Sequence, residues 1–303
     1  MTSNPHFLVL AHNDVSGLGQ LLDALSPYGA TVHIDRPYYL QLTSRGVTLY
    51  FREGVRVISR PGCLHWGGYS IHVAMMQLLR HGLSQNPEAT HFAFLSGACF
   101  PLRPIARFAQ HLDRSKHAVH CNAFALDQRP GTMGIERVSK DHHLDGLVGH
   151  VRKMNRRAGG VARRVLIQFP QRLRDDSLAN APHFAGSQWT AFPREMAQEL
   201  VTHHEQGGFL YLKNSFAPDE MAIPTFVHRS RWGRLTQRGV DAATPQSMAG
   251  TANFHWLRSD LQGAITWDDL SIALDSDRFF VRKLPTGPDG SEFRRAIQGS
   301  WRP

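Results

Sequence analysis

The chain has 303 residues, of which 42% are hydrophobic and 10% aromatic, with three cysteines and a formal charge of +9. That length and composition give ample apolar surface for a folded core and exclude a disordered chain. Three cysteines (Cys63, Cys99, Cys121) exclude a disulfide framework, and no apolar run approaches the roughly 18–20 residues of a membrane-spanning helix.

In chain order, His6 to Ala11 is a continuous apolar run, the pattern of a strand buried on both faces. The helix S-G-L-G-Q-L-L-D-A-L follows, with Ser16 expected as its N-cap, and Ala30 to Asp35 reads as a second strand closed by Arg36-Pro37. Strand, helix and strand at this spacing make a βαβ unit. Gly17-x-Gly19 is a weak dinucleotide signal, because the third glycine position is Leu22. V-T-L-Y-F and V-R-V-I-S are expected to extend the sheet. W-G-G-Y-S-I-H-V-A-M-M opens an amphipathic helix that ends near Gly82.

His91 to Gly97 is the most strand-like run, and it leads into the loop S-G-A-C-F-P-L-R-P, where α/β folds place ligands. A helix at A-R-F-A-Q-H-L and a strand at H-A-V-H-C-N-A-F come next. Asp127 to Pro182 reads as an excursion with helical pieces. Within it, Gly146 to Arg174 holds no acidic residue but Arg152, Lys153, Arg156, Arg157, Arg163, Arg164, Arg172 and Arg174. Such a segment suits an anionic acceptor or membrane surface; without interleaved aromatics or a recognised motif, nucleic acid is not expected. Further on, H-F-A-G-S-Q-W-T-A-F leads into a helix from Arg194 to Glu205, and Glu220 of P-D-E opens another. Gly233 to Asn253 is loop-like. Thr266 caps a helix as T-x-x-D, and D-R-F-F-V-R-K-L supplies a late strand.

Few residues can carry chemistry. Asp141-His142-His143-x-Asp145 and His203-His204-Glu205 lack the spacing of a zinc site and read as solvated clusters. Neither G-x-S-x-G nor G-x-x-x-x-G-K-[ST] occurs, and Cys99 has only apolar neighbours in sequence. The single Asp-x-Asp pair, Asp275 and Asp277, lies before the last strand and reads as a solvent-facing turn. Arg282-Lys283 and Arg258 are candidate partners for a pyrophosphate, or a basic strand end facing water. Gly186, Ser187, Gln188 and Trp189 supply a tight turn, hydrogen-bonding groups and a flat apolar face, and Asp219 and Glu220 a pair of carboxylates.

The segments V-H-I-D-R, W-G-G-Y-S-I-H-V-A, H-F-A-F-L-S-G-A-C-F-P-L, G-S-Q-W-T-A-F, P-D-E-M-A-I-P-T and F-F-V-R-K-L occur in this order across most of the chain. Together they resemble the core-2/I-branching β-1,6-N-acetylglucosaminyltransferase family, which includes peptide O-xylosyltransferases and bacterial relatives. The resemblance implies an α/β, GT-A-like single domain with a central, mainly parallel sheet flanked by helices. In it, residues 1–126 form a Rossmann-like nucleotide-sugar half, 127–182 the basic excursion and 183–303 the acceptor and catalytic half.

The resemblance also implies an inverting transfer from a nucleotide donor, expected to be UDP-linked, to a hydroxyl of a glycan, glycolipid, protein or small molecule. No cofactor or divalent metal is expected. Glu220 would be the general base. Lys283, with Arg282 and Arg258, would meet the diphosphate, and Asp35, His12 and Ser96 would line the donor side. Gly186, Ser187, Gln188, Trp189 and Asp219 would line the acceptor side, with Trp189 stacking on a sugar. Two departures stand out: cysteine at position 99, where aspartate is frequent, and K-L in place of K-F. A basic nucleic-acid- or membrane-binding protein and a non-catalytic glycan-binding relative are the competing classes. Without the family's disulfides or anchor, the expected location is cytoplasmic, with docking at the inner membrane face through Arg152 to Arg174.

Overall fold

A computed structural model describes residues 3–115, 118–126, 134–142, 144–145, 182–236, 251–258 and 263–301. The basic stretch Gly146 to Arg174 lies outside them, as do His143 and most of the loop after Gly233.

The organising layer is a five-stranded sheet of β1 (Pro5–Ala11), β2 (Ala30–Ile34), β3 (Val55–Val57), β4 (His91–Ser96) and β8 (Ala191–Pro193), in the order β3-β2-β1-β4-β8. All neighbours run parallel except β8, which pairs antiparallel with β4. Every residue of β1 and β2 is buried, as their unbroken apolar runs require of strands covered on both faces. The two-residue side-chain period divides them: Leu8 and Leu10 enter one core cluster, and Phe7, Val9 and Ala11 the other. Each such side chain contributes about 1.5–3 kcal/mol by leaving water.

The first cluster lies beneath α3 (Tyr69–Gln85), α6 (Arg194–Glu205) and α7 (Ala222–His228). The second lies beneath α1 (Val15–Ala24), α4 (Ala106–Arg114), α8 (Trp267–Asp275) and α9 (Gly287–Gly299). A smaller sheet orders β5 (Phe100–Pro101), β10 (Phe280–Arg282) and β9 (His255–Leu257). A two-stranded ribbon joins β6 (Ala123–Ala125) to β7 (Phe184–Gly186). Among the described residues, the excursion contributes one short helix, α5 (Glu136–Ser139).

Several expectations change. The N-cap of α1 is Asp14, whose Oδ1 accepts from Gly17 N at 2.9 Å, rather than Ser16. Pro37 begins α2 (Arg36–Ser44) instead of closing a strand, since proline's fixed φ suits a first helical turn. V-T-L-Y-F forms no strand: Val55–Val57 takes the edge of β2, leaving Leu49 and Phe51 to pack on the core from irregular backbone. Helix α3 runs past Gly82 to Gln85. The expected strand at 117–124 reduces to β6 and two isolated bridges at Val119 and His120. Glu220 lies in a 3₁₀ turn (Pro218–Glu220) ahead of α7 rather than opening the helix. The Thr266 capping box forms as expected, with Asp269 at N3.

Gly186 is fixed by packing, because a Cβ there would stand 2.3 Å from the Asn122 carbonyl oxygen across the β6–β7 ribbon. Gly186→Ala should therefore cost about 1–3 kcal/mol of overpacking strain. Gly62→Ala, where nothing lies within 4 Å of the added carbon, should stay within about 0.5 kcal/mol of the parent. Urea unfolding of the two variants checks this; equal losses would refute it.

Candidate active site

Two regions carry unsatisfied charge or concavity, and one short strand joins them. The first surrounds the Pro218–Glu220 turn. Ala217, at φ 51°, turns the chain through the left-handed region just before it, and the Ala217 N–H donates to Gly67 O at 2.7 Å. Glu220 Oε2 accepts from Arg137 Nη2 at 2.7 Å; the arginine side chain is 5% exposed and the glutamate 29%. Arg137 also donates from Nε to Phe216 O at 3.4 Å, and its guanidinium lies 5.4 Å from the Phe216 ring centroid. A charge-assisted bond from a buried donor leaves the glutamate oriented while still reachable from solvent.

Asp219, next in line, is buried, and its Oδ1 has no hydrogen-bond partner among the described residues. Burial, reinforced by the neighbouring Glu220 charge, raises its carboxyl from 3.8 to about 7, against the pull of its own backbone hydrogen bond, Arg137 and Arg282. Arg282 completes the cluster from the end of β10. Its guanidinium lies 4.9 Å from the Trp189 ring centroid and feels the charges of Asp219 and Glu220, with its Nε buried and unpartnered among the described residues.

Trp189 is 5% exposed, so the expected open stacking face is closed: Arg282 occupies it. Ser187 is buried with its hydroxyl accepting from Trp189 N at 3.2 Å. Gln188 is half-buried, and its backbone oxygen accepts from Thr190 N. Trp189 thus supports Arg282, which bears on the carboxylates. Cys99 stands in the same interior, its Sγ 3.3 Å from His255 Nε2, contrary to the apolar setting expected of it. Burial pushes the thiol up to about 12, which disfavours the thiolate.

The second region is a depression where the order of the sheet reverses. Strand β2 lies on one side of β1 and β4 on the other, and their carboxyl ends diverge there. Its walls include His12, Asn13 and Asp14 after β1, Gly97 and Ala98 after β4, and Thr286 and Arg294 from the C-terminal segment. Arg294, 2% exposed, stands 3.6 Å from Asp14 Oδ2. A Cβ on Gly17 would fall 2.3 Å from Arg294 Nη2, so that glycine makes room for a guanidinium rather than for a pyrophosphate.

Of the donor-side residues, His12 lines the depression. Ser96 is buried beneath it, its Oγ accepting from Ala98 N at 3.2 Å. Asp35 is buried at the end of β2 and accepts from Leu64 N at 2.9 Å, outside the walls. Arg258 is engaged with Asp269 at 3.4 Å and Ala264 O at 3.1 Å. Lys283 is exposed between Arg282, which faces the carboxylates, and Leu284, which lines the depression and donates to Ala98 O at 2.9 Å. Three consecutive residues thus span from one region to the other. Arg137, Arg294 and Asp14 were not anticipated; only the D-x-x-G cap spacing hinted at the last.

Among the described residues no group of three or more His, Cys, Asp or Glu is placed to hold an ion; His143 of the first histidine cluster lies outside them. His203 and His204 pack against Phe209 instead of lying in solvent, and Asp145 accepts from Ser70 Oγ at 2.7 Å. No helix among the described residues is long and apolar enough to cross a membrane.

A carboxyl raised from 3.8 to about 7 holds an extra proton in the folded state between those values. Its contribution to stability therefore declines as pH rises through that window. His6 and His33, lowered by burial to about 4, slope the other way, so the difference between parent and Asp219→Asn isolates the acid. Urea titrations from pH 4 to pH 8 should show the parent losing stability relative to the variant as pH rises; a flat difference would refute the assignment.

The model of the family described as Core-2/I-Branching enzyme matches residues 7–244. No curated protein matches the chain. Among solved structures, a glycosyltransferase involved in the glycosylation of the major capsid of PBCV-1 is 8% identical. That match covers 97% of this chain and 98% of that one at a TM-score of 0.34. A 4-diphosphocytidyl-2C-methyl-D-erythritol synthase from Anaerococcus prevotii is 9% identical, covering 90% and 98% at a TM-score of 0.36. Both likenesses are too loose to bear on the site. The family match spans well over half of the chain, and it takes in the βαβ opening, the depression's first walls, Arg137 and the P-D-E turn: this protein belongs to the core-2/I-branching family of glycosyltransferases.

Proposed function

We propose that the chain is an inverting glycosyltransferase that moves N-acetylglucosamine, xylose or a related sugar from a UDP-linked donor to an acceptor hydroxyl, without a metal ion. The observation that carries this reading is the Glu220 carboxylate, partly exposed and fixed at 2.7 Å by a buried arginine. In the reaction, Glu220 takes the proton of the acceptor hydroxyl as its oxygen attacks the anomeric carbon. The bond to the nucleoside diphosphate breaks on the opposite face, and the electron pair leaves with the phosphate. General-base help of this kind is worth about 10²–10⁴-fold.

The nucleotide belongs at the depression between the ends of β1 and β4, with His12 at its wall and Ser96 and Asp35 shaping the strand ends behind it. Lys283 meets the charge growing on the departing diphosphate, and Arg258 joins it on release from Asp269. Arg282 supports this reading from the other side. Bearing on Asp219 and Glu220, it couples the base to the phosphate-binding end through one peptide link.

Glu220→Gln should reduce transfer at least about 10²-fold while leaving the thermal shift by UDP unchanged, and Lys283→Ala should weaken both. Near-parental turnover by Glu220→Gln would overturn the base assignment. A thermal-shift screen of UDP-sugars with and without EDTA should single out one donor, with shifts that chelation does not alter; a shift lost in EDTA would sink the metal-free reading.

A further inference from the structure

With Trp189 closed off, the expected acceptor end lacks its aromatic, yet an open indole is linked to Glu220 through Phe216 and Arg137. Trp66 is 75% exposed, the most exposed of the large apolar side chains described. Its loop is rigidly placed. Gly67 adopts φ 76°, and a Cβ there would stand 3.1 Å from Leu144 and 3.4 Å from Phe216. The Gly67 carbonyl accepts from Ala217 N at 2.7 Å, three residues before Glu220.

The indole meets Phe216 edge-on, centroids 5.6 Å apart at 75°. The Phe216 ring lies 5.4 Å from the Arg137 guanidinium, which holds Glu220 at 2.7 Å. Two ring contacts and one ion pair thus connect the exposed indole to the base. The surroundings are not those of a broad apolar contact: His142 packs on Phe216, and Arg137 and Glu220 lie just behind it. An apolar partner laid over this patch would strip water from the partly exposed carboxylate with nothing to replace it. A pyranose does not, because one of its faces is C–H and its rim is hydroxyl. The first suits an indole face and the second suits charged side chains.

We propose that Trp66 is the stacking floor of the acceptor subsite, carrying a sugar whose C–H face lies on the indole and whose attacking hydroxyl points to Glu220. This deepens the glycosyltransferase reading and rests on Glu220 as the base. Trp66 acts on acceptor affinity and specificity, while Trp189 holds Arg282.

The test is saturation-transfer NMR on the full chain with UDP present, using a panel of methyl glycosides of galactose, N-acetylglucosamine, xylose, glucose and rhamnose. At least one should receive saturation on the C–H protons of one ring face. Trp66→Ala should weaken that glycoside about tenfold or more and Trp66→Phe no more than about threefold, at an unchanged melting temperature. Equal affinity in the parent and Trp66→Ala, or no saturated glycoside in the panel, would overturn the proposal. The two readings separate in Glu220→Gln. Glycoside binding lost only in Trp66→Ala establishes the floor, and transfer retained by Glu220→Gln removes the base while leaving that binding result standing.

Discussion

The carboxylate cluster depends on one electrostatic constraint: two adjacent carboxylates, one buried and one partly exposed, must lie beside two largely buried arginines. Removing Glu220 or Arg137 would strand the charge of its partner where solvation is poor, which is costlier than the pairing is favourable. The constraint explains features that look unrelated. Arg137 is nearly fully buried, yet its charge is met by Glu220 and by the carbonyls of Phe216 and Ala217. Trp189 offers its ring to Arg282, a contact that needs no second anion. Asp219, without a partner for Oδ1, holds its proton more tightly instead.

The sheet positions this cluster relative to the depression. Because β1 and β4 are neighbours whose connections diverge, their carboxyl ends leave a gap that no helix fills. The C-terminal segment enters it from β10: the strand delivers Arg282 to the carboxylates, and Leu284, two residues further on, closes one wall. The carboxylate cluster and the depression are thus joined by continuous backbone, and on the proposed reading the geometry between a leaving group and a base needs little reorganisation.

What could be read from the chain follows the range of the interactions. The runs of β1, β2 and β4 were legible because continuous burial leaves a local signature, as did the Thr266 capping box. Helix α2 was missed because Pro37 read as a stop although it stands in a first turn, and α9 was not read at all. Glu220 was legible from P-D-E, but Arg137 was not: it comes from 83 residues away, on a four-residue helix with no motif of its own. Trp189 and Trp66 were both visible as tryptophans, and only tertiary packing decides that the first is covered and the second open.

Gly17 and Arg294 are 277 residues apart, yet they share one volume. The guanidinium lies where a side chain at position 17 would begin, and its partner is the same Asp14 that caps the first helix. A side chain at 17 would displace the Arg294 guanidinium and the Asp14 carboxylate together, and so would disturb the pair they form. The first and last helices of the described chain are consequently tied at their ends through one shared volume.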